Sequence, residues 1–346
     1  MKRIIFAFLM LVLLAVPASA LEFTAPEAPD DVTDLMPVEK ESFGEGLWKV
    51  VTSAIGALQP NLADAARVCL SIVAVVVLTS VLRQLPGGSV HIVELVGCLA
   101  VATILLSTTN SMIRLGVETV ERLSDYGKLL LPVMTAAMAA QGGVTSSAAL
   151  YVGTAVFDAI LSEAVSKLIV PMVYMYLVLS VAASVVNESM LVKIKDFVKG
   201  LLSWGLKIIL YIFTGYMSIT GAVSGTADAA TIKAAKLTIS GMVPVVGSIL
   251  SDASESVIVG VGVMKSGAGI YGLLAILAIW ISPFLQIGIQ YLLLKLTAAV
   301  CDVFEVKQLS ALIHGISTAM GLLLAMTGAV CFMLLISIVC FMKGVG

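Results

Sequence analysis

The run QLSALIHGISTAMGLLLAMTGAVCFMLLISIVCFM, residues 308–342, contains no Asp, Glu, Lys or Arg. A hydrocarbon core near 30 Å takes about 20 helical residues, so the part from Ile316 onward is long enough to cross a bilayer by itself. A surface helix of a soluble protein would carry charged residues along one face, and this run carries none. The composition of the whole chain agrees. Hydrophobic residues make up 60% and charged residues 12% of 346 positions, with mean hydropathy +1.09, whereas a soluble domain is about 45–50% apolar and about 25% charged. The expected fold is an all-α polytopic integral membrane protein. A net charge of −2 and a pI near 5.7 argue against nucleic acid as a partner, because a nucleic-acid-binding domain has a pI above about 9.

Further uncharged runs lie upstream: Val68 to Leu82, Leu95 to Ile113, Leu129 to Phe157, Leu168 to Asn187, Ile208 to Ala227, Leu237 to Ser251 and Ser266 to Leu294. The runs beginning at 95, 168, 208 and 266 are long enough to span. The first becomes so if Arg67 snorkels and the helix starts near Leu62. Two runs are different. Residues 129–157 are interrupted by Gly142, Gly143, Thr145, Ser146 and Ser147, with Pro132 upstream, and residues 237–264 contain Pro244, Gly247 and the polar patch Asp252 to Ser256. Both read as short re-entrant helical hairpins, giving six spans plus two hairpins within a membrane domain of residues 61–346. Gly142, Gly143 and Pro132 are the expected helix-packing positions of the first hairpin.

The amino end reads as a signal peptide. Lys2 and Arg3 precede an uncharged run from Ile4 to Val16, then Pro17 and Ala18-Ser19-Ala20, which fits cleavage after Ala20 and leaves residue 21 outside the cytoplasm. Residues 21–49 hold eight acids against Lys40 and Lys49, with Pro26, Pro29 and Pro37, so 21–60 is expected to be an acidic flexible leader followed by a surface helix. That helix shows Leu47, Val50, Val51, Ile55 and Leu58 at helical spacing. Cytoplasmic loops are enriched in Lys and Arg. If residues 129–157 re-enter without crossing, Arg83 and the lysines at 193, 195 and 199 share the cytoplasmic side, which obeys that rule.

Pro132 and Pro171 are 39 residues apart, as are Pro244 and Pro283, and an offset of 112 relates the two pairs. The same offset superposes the run at 95 on the run at 207, and Thr-Gly-Ala-Val occurs at 220–223 and again at 327–330. Identities at that offset are few, so an internal duplication rests on the pattern alone. Transporters often carry such repeats, with broken helices at mid-membrane.

Catalytic parts are scarce. Cys69, Cys98, Cys301, Cys331 and Cys340 lie in or beside apolar stretches without Cys-x-x-Cys spacing, and His91 and His314 sit in no metal-binding pattern, so no cofactor or metal is expected and the chain reads as no enzyme. Gly260 to Ser266 lacks the Gly before Lys265 that a phosphate loop requires. Glu94, Lys207, Asp158 and Glu163 border or interrupt spans, and structural pairing explains them more simply than ion coupling. The least lipid-like block is GYMSITGAVSGTADAATIKAAKLTISGMVPVVGSILSDASESV, residues 215–257. Backbone at membrane depth must be satisfied by protein or by a wet cavity, so Gly221, Gly225, Asp228, Lys233, Lys236, Pro244, Asp252 and Glu255 are the candidate pore or partner-contact residues. Gly221 and Gly225 also form a Gly-x-x-x-Gly pair suited to close helix approach.

That block, following a signal peptide, an acidic leader and several spans, resembles the stage III sporulation protein AE family over essentially the whole mature chain. The resemblance implies a polytopic protein of endospore-forming bacteria, placed in the mother-cell membrane around the forespore. It implies a non-enzymatic part in a channel complex or secretion-like complex that joins the two cells and supports late forespore development. Other stage III sporulation membrane proteins, membrane lipid and a second copy in a homo-oligomer are the partners it implies. No catalytic residue comes with the resemblance. The competing reading is a stand-alone permease, a secondary transporter for a small metabolite.

Overall fold

The computed structural model describes residues 25–33, 36, 43–85, 89–140, 144–186, 188–219 and 267–343. Helices account for nearly all of them, with no strand among the described residues. In chain order they are α1 (Asp30–Thr33), α2 (Phe43–Gly56), α3 (Gln59–Arg83), α4 (Val90–Ala140) and α5 (Val144–Ala164). A π turn (Val165–Ile169) joins α5 to α6 (Val170–Val186), and α7 (Ser189–Ile219), α8 (Gly267–Val303) and α9 (Lys307–Lys343) follow. Among the described residues, six segments are long and apolar enough to cross a membrane: Leu62–Arg83, Val90–Ala139, Ser147–Val186, Ser189–Met217, Gly269–Val303 and Lys307–Met342. The all-α polytopic class and the number of spans agree with the sequence reading.

The run that decided the fold forms the axis of the bundle. Within α9, 94% of the most apolar window is buried, and α4, α5, α6, α7 and α8 all pack against it. Lipid tails are as apolar as leucine, so in a bilayer such burial is held by close packing rather than by escape from water. Glycines provide the closeness. Gly116 and Gly127 on α4 face Met326 and Leu334 of α9, Gly315 on α9 faces Ser180 of α6, and Gly272 on α8 faces Leu130 of α4. The outer surface stays apolar, with Leu70, Leu78, Leu106, Val178, Tyr211 and Leu296 all exposed. A soluble monomer rarely leaves so much apolar surface uncovered.

The helix ends follow from local chemistry. α3 closes with Gln84 N–H donating to the Val81 carbonyl at 3.1 Å, two residues before Pro86. Pro171 lacks an N–H and crowds the preceding turn, and the wider π turn just before it absorbs the defect without breaking the α5–α6 rod. α8 ends where Glu305 takes a left-handed φ of 54°, with Val306 N–H reaching back to the Cys301 carbonyl at 3.4 Å. This is the αL closure usually given to glycine.

The region expected to be the first hairpin is built differently. Residues 141–143, with Gly142 and Gly143, lie outside the described residues, and the two arms on either side, α4 and α5, pack against each other. The arms are not short, however. Residues 129–140 are the end of one unbroken helix of 51 residues that starts at Val90. Gly97, Gly116 and Gly127 meet Leu309, Met326 and Leu334 in order, so α4 and α9 run side by side without reversal. At 1.5 Å per residue α4 rises about 77 Å, more than twice a hydrocarbon core of about 30 Å. Residues 129–140 therefore do not fold back into the layer crossed by 95–113. Arg114, Glu118, Asp125 and Lys128 separate these two apolar stretches as exposed ion pairs. Pro132 lies inside α4 with its ring exposed, not at a packed break. The second expected hairpin, residues 237–264, lies outside the described residues, and with it Pro244 of the supposed duplication, whereas Pro283 lies inside α8.

Residues 1–24, including the expected signal peptide, also lie outside the described residues. The described part of the leader, residues 25–33 and 36, is seated on the bundle: Ala28, Val32 and Met36 are buried, Tyr126 donates to the Pro26 carbonyl at 3.2 Å, and Ala28 N–H donates to Tyr271 at 3.4 Å. The expected surface helix is α2, and it packs on α8 through Gly46, Val50 and Ala54. Acid counting missed this because the apolar residues that anchor the segment are few and spread among the acids.

Candidate functional site

Polar groups enter the bundle at three levels, and each level has a different capacity. At the end where α3 stops, Arg83 Nε pairs with Glu94 at 3.2 Å, and Arg83 Nη1 donates to the Glu305 carbonyl at 2.9 Å. One guanidinium thus ties α3, α4 and the α8–α9 turn together. Glu94 is paired structurally, as the sequence suggested. Cys98 Sγ, one turn along α4, reaches the Ser184 carbonyl near the end of α6 at 4.0 Å. α7 starts three residues after α6 ends, so the segment bearing Lys193, Lys195 and Lys199 begins at the Arg83 end.

At mid-height α3, α4 and α8 enclose a pocket of about 130 Å³, into which Asp64, Val68, Thr108, Met112, Gln286 and Gln290 project. Gln286 Nε2 donates to Ser282 Oγ at 3.3 Å. Gln290 is 4% exposed and its Nε2 has no acceptor among the described residues. An unmet buried amide costs about 1–3 kcal/mol, so this pocket suits water or a small molecule that carries an oxygen acceptor. Asp64 at the rim is exposed and paired with Arg67 at 2.6 Å.

At the far level, Ser124 Oγ on α4 donates to Asp158 Oδ2 on α5 at 2.6 Å, and Thr154 Oγ1 donates to Ser337 Oγ of α9 at 3.0 Å. All four side chains are buried. Asp158 was expected to be paired structurally, and its direct partner is a hydroxyl rather than a charge. Glu163 pairs on the surface with Lys167. No group of three His, Cys, Asp or Glu side chains is placed to hold a metal ion among the described residues.

None of the eight candidate pore or partner-contact residues, Gly221, Gly225, Asp228, Lys233, Lys236, Pro244, Asp252 and Glu255, lies within the described residues. The helices on either side of them are placed. α7 arrives with Tyr216 donating to the Ala149 carbonyl at 2.8 Å and Phe213 edge-on to Phe157 at 5.4 Å. α8 leaves with Gly269 against Met342. The residues that the sequence reading overlooked are Gln286, Gln290, Ser124, Thr154 and Ser337. The two glutamines could have been noticed as a polar i, i+4 pair in an apolar run. The hydroxyls had no such signal, since their partners are far apart in sequence.

The chain matches the family model for stage III sporulation protein AE (spore_III_AE) over residues 31–344. A relative of that name from Bacillus subtilis (strain 168) is 22% identical over 195 residues. That match covers 56% of this chain and 49% of the relative, so it spans about half of the curated protein. No solved structure matches.

Proposed function

Because the chain belongs to the stage III sporulation protein AE family and carries six candidate spans among its described residues, we propose that this multi-pass sporulation protein is a non-enzymatic part of a channel complex. On this reading the complex joins mother cell and forespore, the protein sits in the mother-cell membrane, and its amino end lies outside the cytoplasm. The observation that supports a component over a self-sufficient carrier is α9. It occupies the axis where a lumen within one bundle would run, and 94% of its most apolar window is buried. A conduit would then be completed between chains, with the block from Gly221 to Glu255 offering the contacts. Affinity purification of the tagged chain from sporulating cells should recover other stage III sporulation membrane proteins. Recovery of the chain by itself, combined with solute uptake by vesicles containing it and no partner, would overturn the proposal in favour of a permease. The pocket at Gln290 is the feature that favours that second reading.

A further inference from the structure

Asp158 sits where three helices meet, and its surroundings do not account for its charge. The side chain is 4% exposed. Oδ2 accepts from Ser124 Oγ at 2.6 Å, whereas the buried Oδ1 accepts from nothing among the described residues. Thr154 lies one turn earlier on the same face of α5, fully buried, and hands its hydroxyl proton to Ser337, which donates in turn to the Met333 carbonyl at 2.9 Å. The hydroxyls thus form two separate contacts one turn apart on α5, a seam that joins α4 to α5 at Asp158 and α5 to α9 at Thr154.

Among the described residues, the charged groups around Asp158 leave its carboxyl uncompensated. On α4, Asp125 and Lys128 act on it through space, but they are exposed and paired with each other at 2.8 Å. On α5 the next charge, Glu163, is paired with Lys167. α9 has no Asp, Glu, Lys or Arg from 308 to 342, and the nearest basic residue in sequence to the α7 contact at Phe213 is Lys207. A buried ionised group that lacks a partner costs several kcal/mol, and one neutral hydroxyl does not repay that.

We propose that Asp158, with Ser124 and the Thr154–Ser337 seam, is a binding site for one positive charge, either a proton or a sodium-sized monovalent cation. One carboxylate and neutral hydroxyls match a single charge. A divalent ion bound only by protein would require six or more oxygens and usually several carboxylates. In the proton case the carboxylate takes up H⁺ and becomes the acid, and no other bond changes. In either case occupancy favours the state in which the α4–α5 arms are seated on α9, because a ligand that binds only the folded form stabilises it.

The test is the thermal unfolding midpoint of the full chain in detergent, for the natural protein and for Asp158→Asn, which keeps the shape and removes the charge. One arm varies pH at constant sodium, and the other replaces choline chloride by sodium chloride at constant pH. The natural protein should gain about 2–4 °C per tenfold rise in proton or sodium concentration in one arm, and Asp158→Asn should lose that part of the slope. Loss in the pH arm identifies the proton, and loss in the sodium arm the metal cation. Equal slopes for both proteins in both arms would overturn the proposal. Should Asp158→Asn not fold, Ser124→Ala takes its place. It removes the hydroxyl held by the carboxylate, so the dependence must move. It moves to higher pH in the proton case because the ionised form loses a hydrogen bond, or to higher sodium in the other case because the ion loses a ligand. A dependence left where it was also overturns the proposal.

Discussion

Glycine does opposite work at different places in this bundle, and side-chain space decides which. A Cβ at Gly153 of α5 would collide with the ring of Tyr216, whose hydroxyl is held by the Ala149 carbonyl. The ring is rigid, so it has to move as a unit. Gly153→Ala should lower stability by about 1–3 kcal/mol, read as a fall in the unfolding midpoint in detergent. Among the described residues, nothing lies within 4 Å of such a Cβ at Gly205 of α7. Gly205→Ala should raise stability by about 0.5–1 kcal/mol through helix propensity, and a loss comparable to that of the first variant would refute the distinction. Glu305 shows the reverse case. Its φ of 54° closes the α8–α9 turn at the expense of backbone strain, and its carbonyl, not its side chain, receives Arg83. Glu305→Gly should therefore stabilise by about 1 kcal/mol, and a drop in the midpoint would show that the carboxylate has a role of its own.

Among the elements, α4 separates a hairpin that dips into lipid from one that stands along the bundle. Leu106 and Leu129 are both exposed on this helix, 72% and 60%. An unbroken helix places them about 35 Å apart along its axis. Nitroxides attached at the two positions in proteoliposomes should report clearly different depths from lipid-soluble and water-soluble relaxants. Equal depths would mean that the chain reverses between them, as a re-entrant hairpin requires. The sequence reading placed an interruption at Gly142 and Gly143 because two adjacent glycines are a local signal, and those residues lie outside the described ones. It did not reach the continuity of α4, because the charges from Arg114 to Lys128 look like a loop between two spans. In the structure they form i, i+3 and i, i+4 ion pairs along one helix, the pattern of an exposed helical face. Pro132 misled for a related reason: it removes one hydrogen bond, and the surrounding helix carries on through it.

At the scale of the molecule, class and number of spans were legible because hydropathy is a local sum, and each apolar run announces itself whatever it touches. Which run forms the axis was not legible. α9 and the outer helices look alike in composition, and only the set of neighbours distinguishes a helix packed by protein from one packed by lipid. The same limit hid the docking of Ala28, Val32 and Met36, and the meeting of Ser124, Asp158, Thr154 and Ser337, whose partners are joined only by the fold.

The central position of α9 also bears on biogenesis. The helix around which the others are arranged is translated after all of them, so α3 to α8 emerge from the ribosome as the wall of a structure whose pillar does not yet exist. Until Lys307 to Lys343 has entered the bilayer, the inward faces of α4, α6 and α8 have only lipid or an insertase to rest against. Assembly is then a race between the arrival of the last segment and the proteases that patrol half-built membrane proteins.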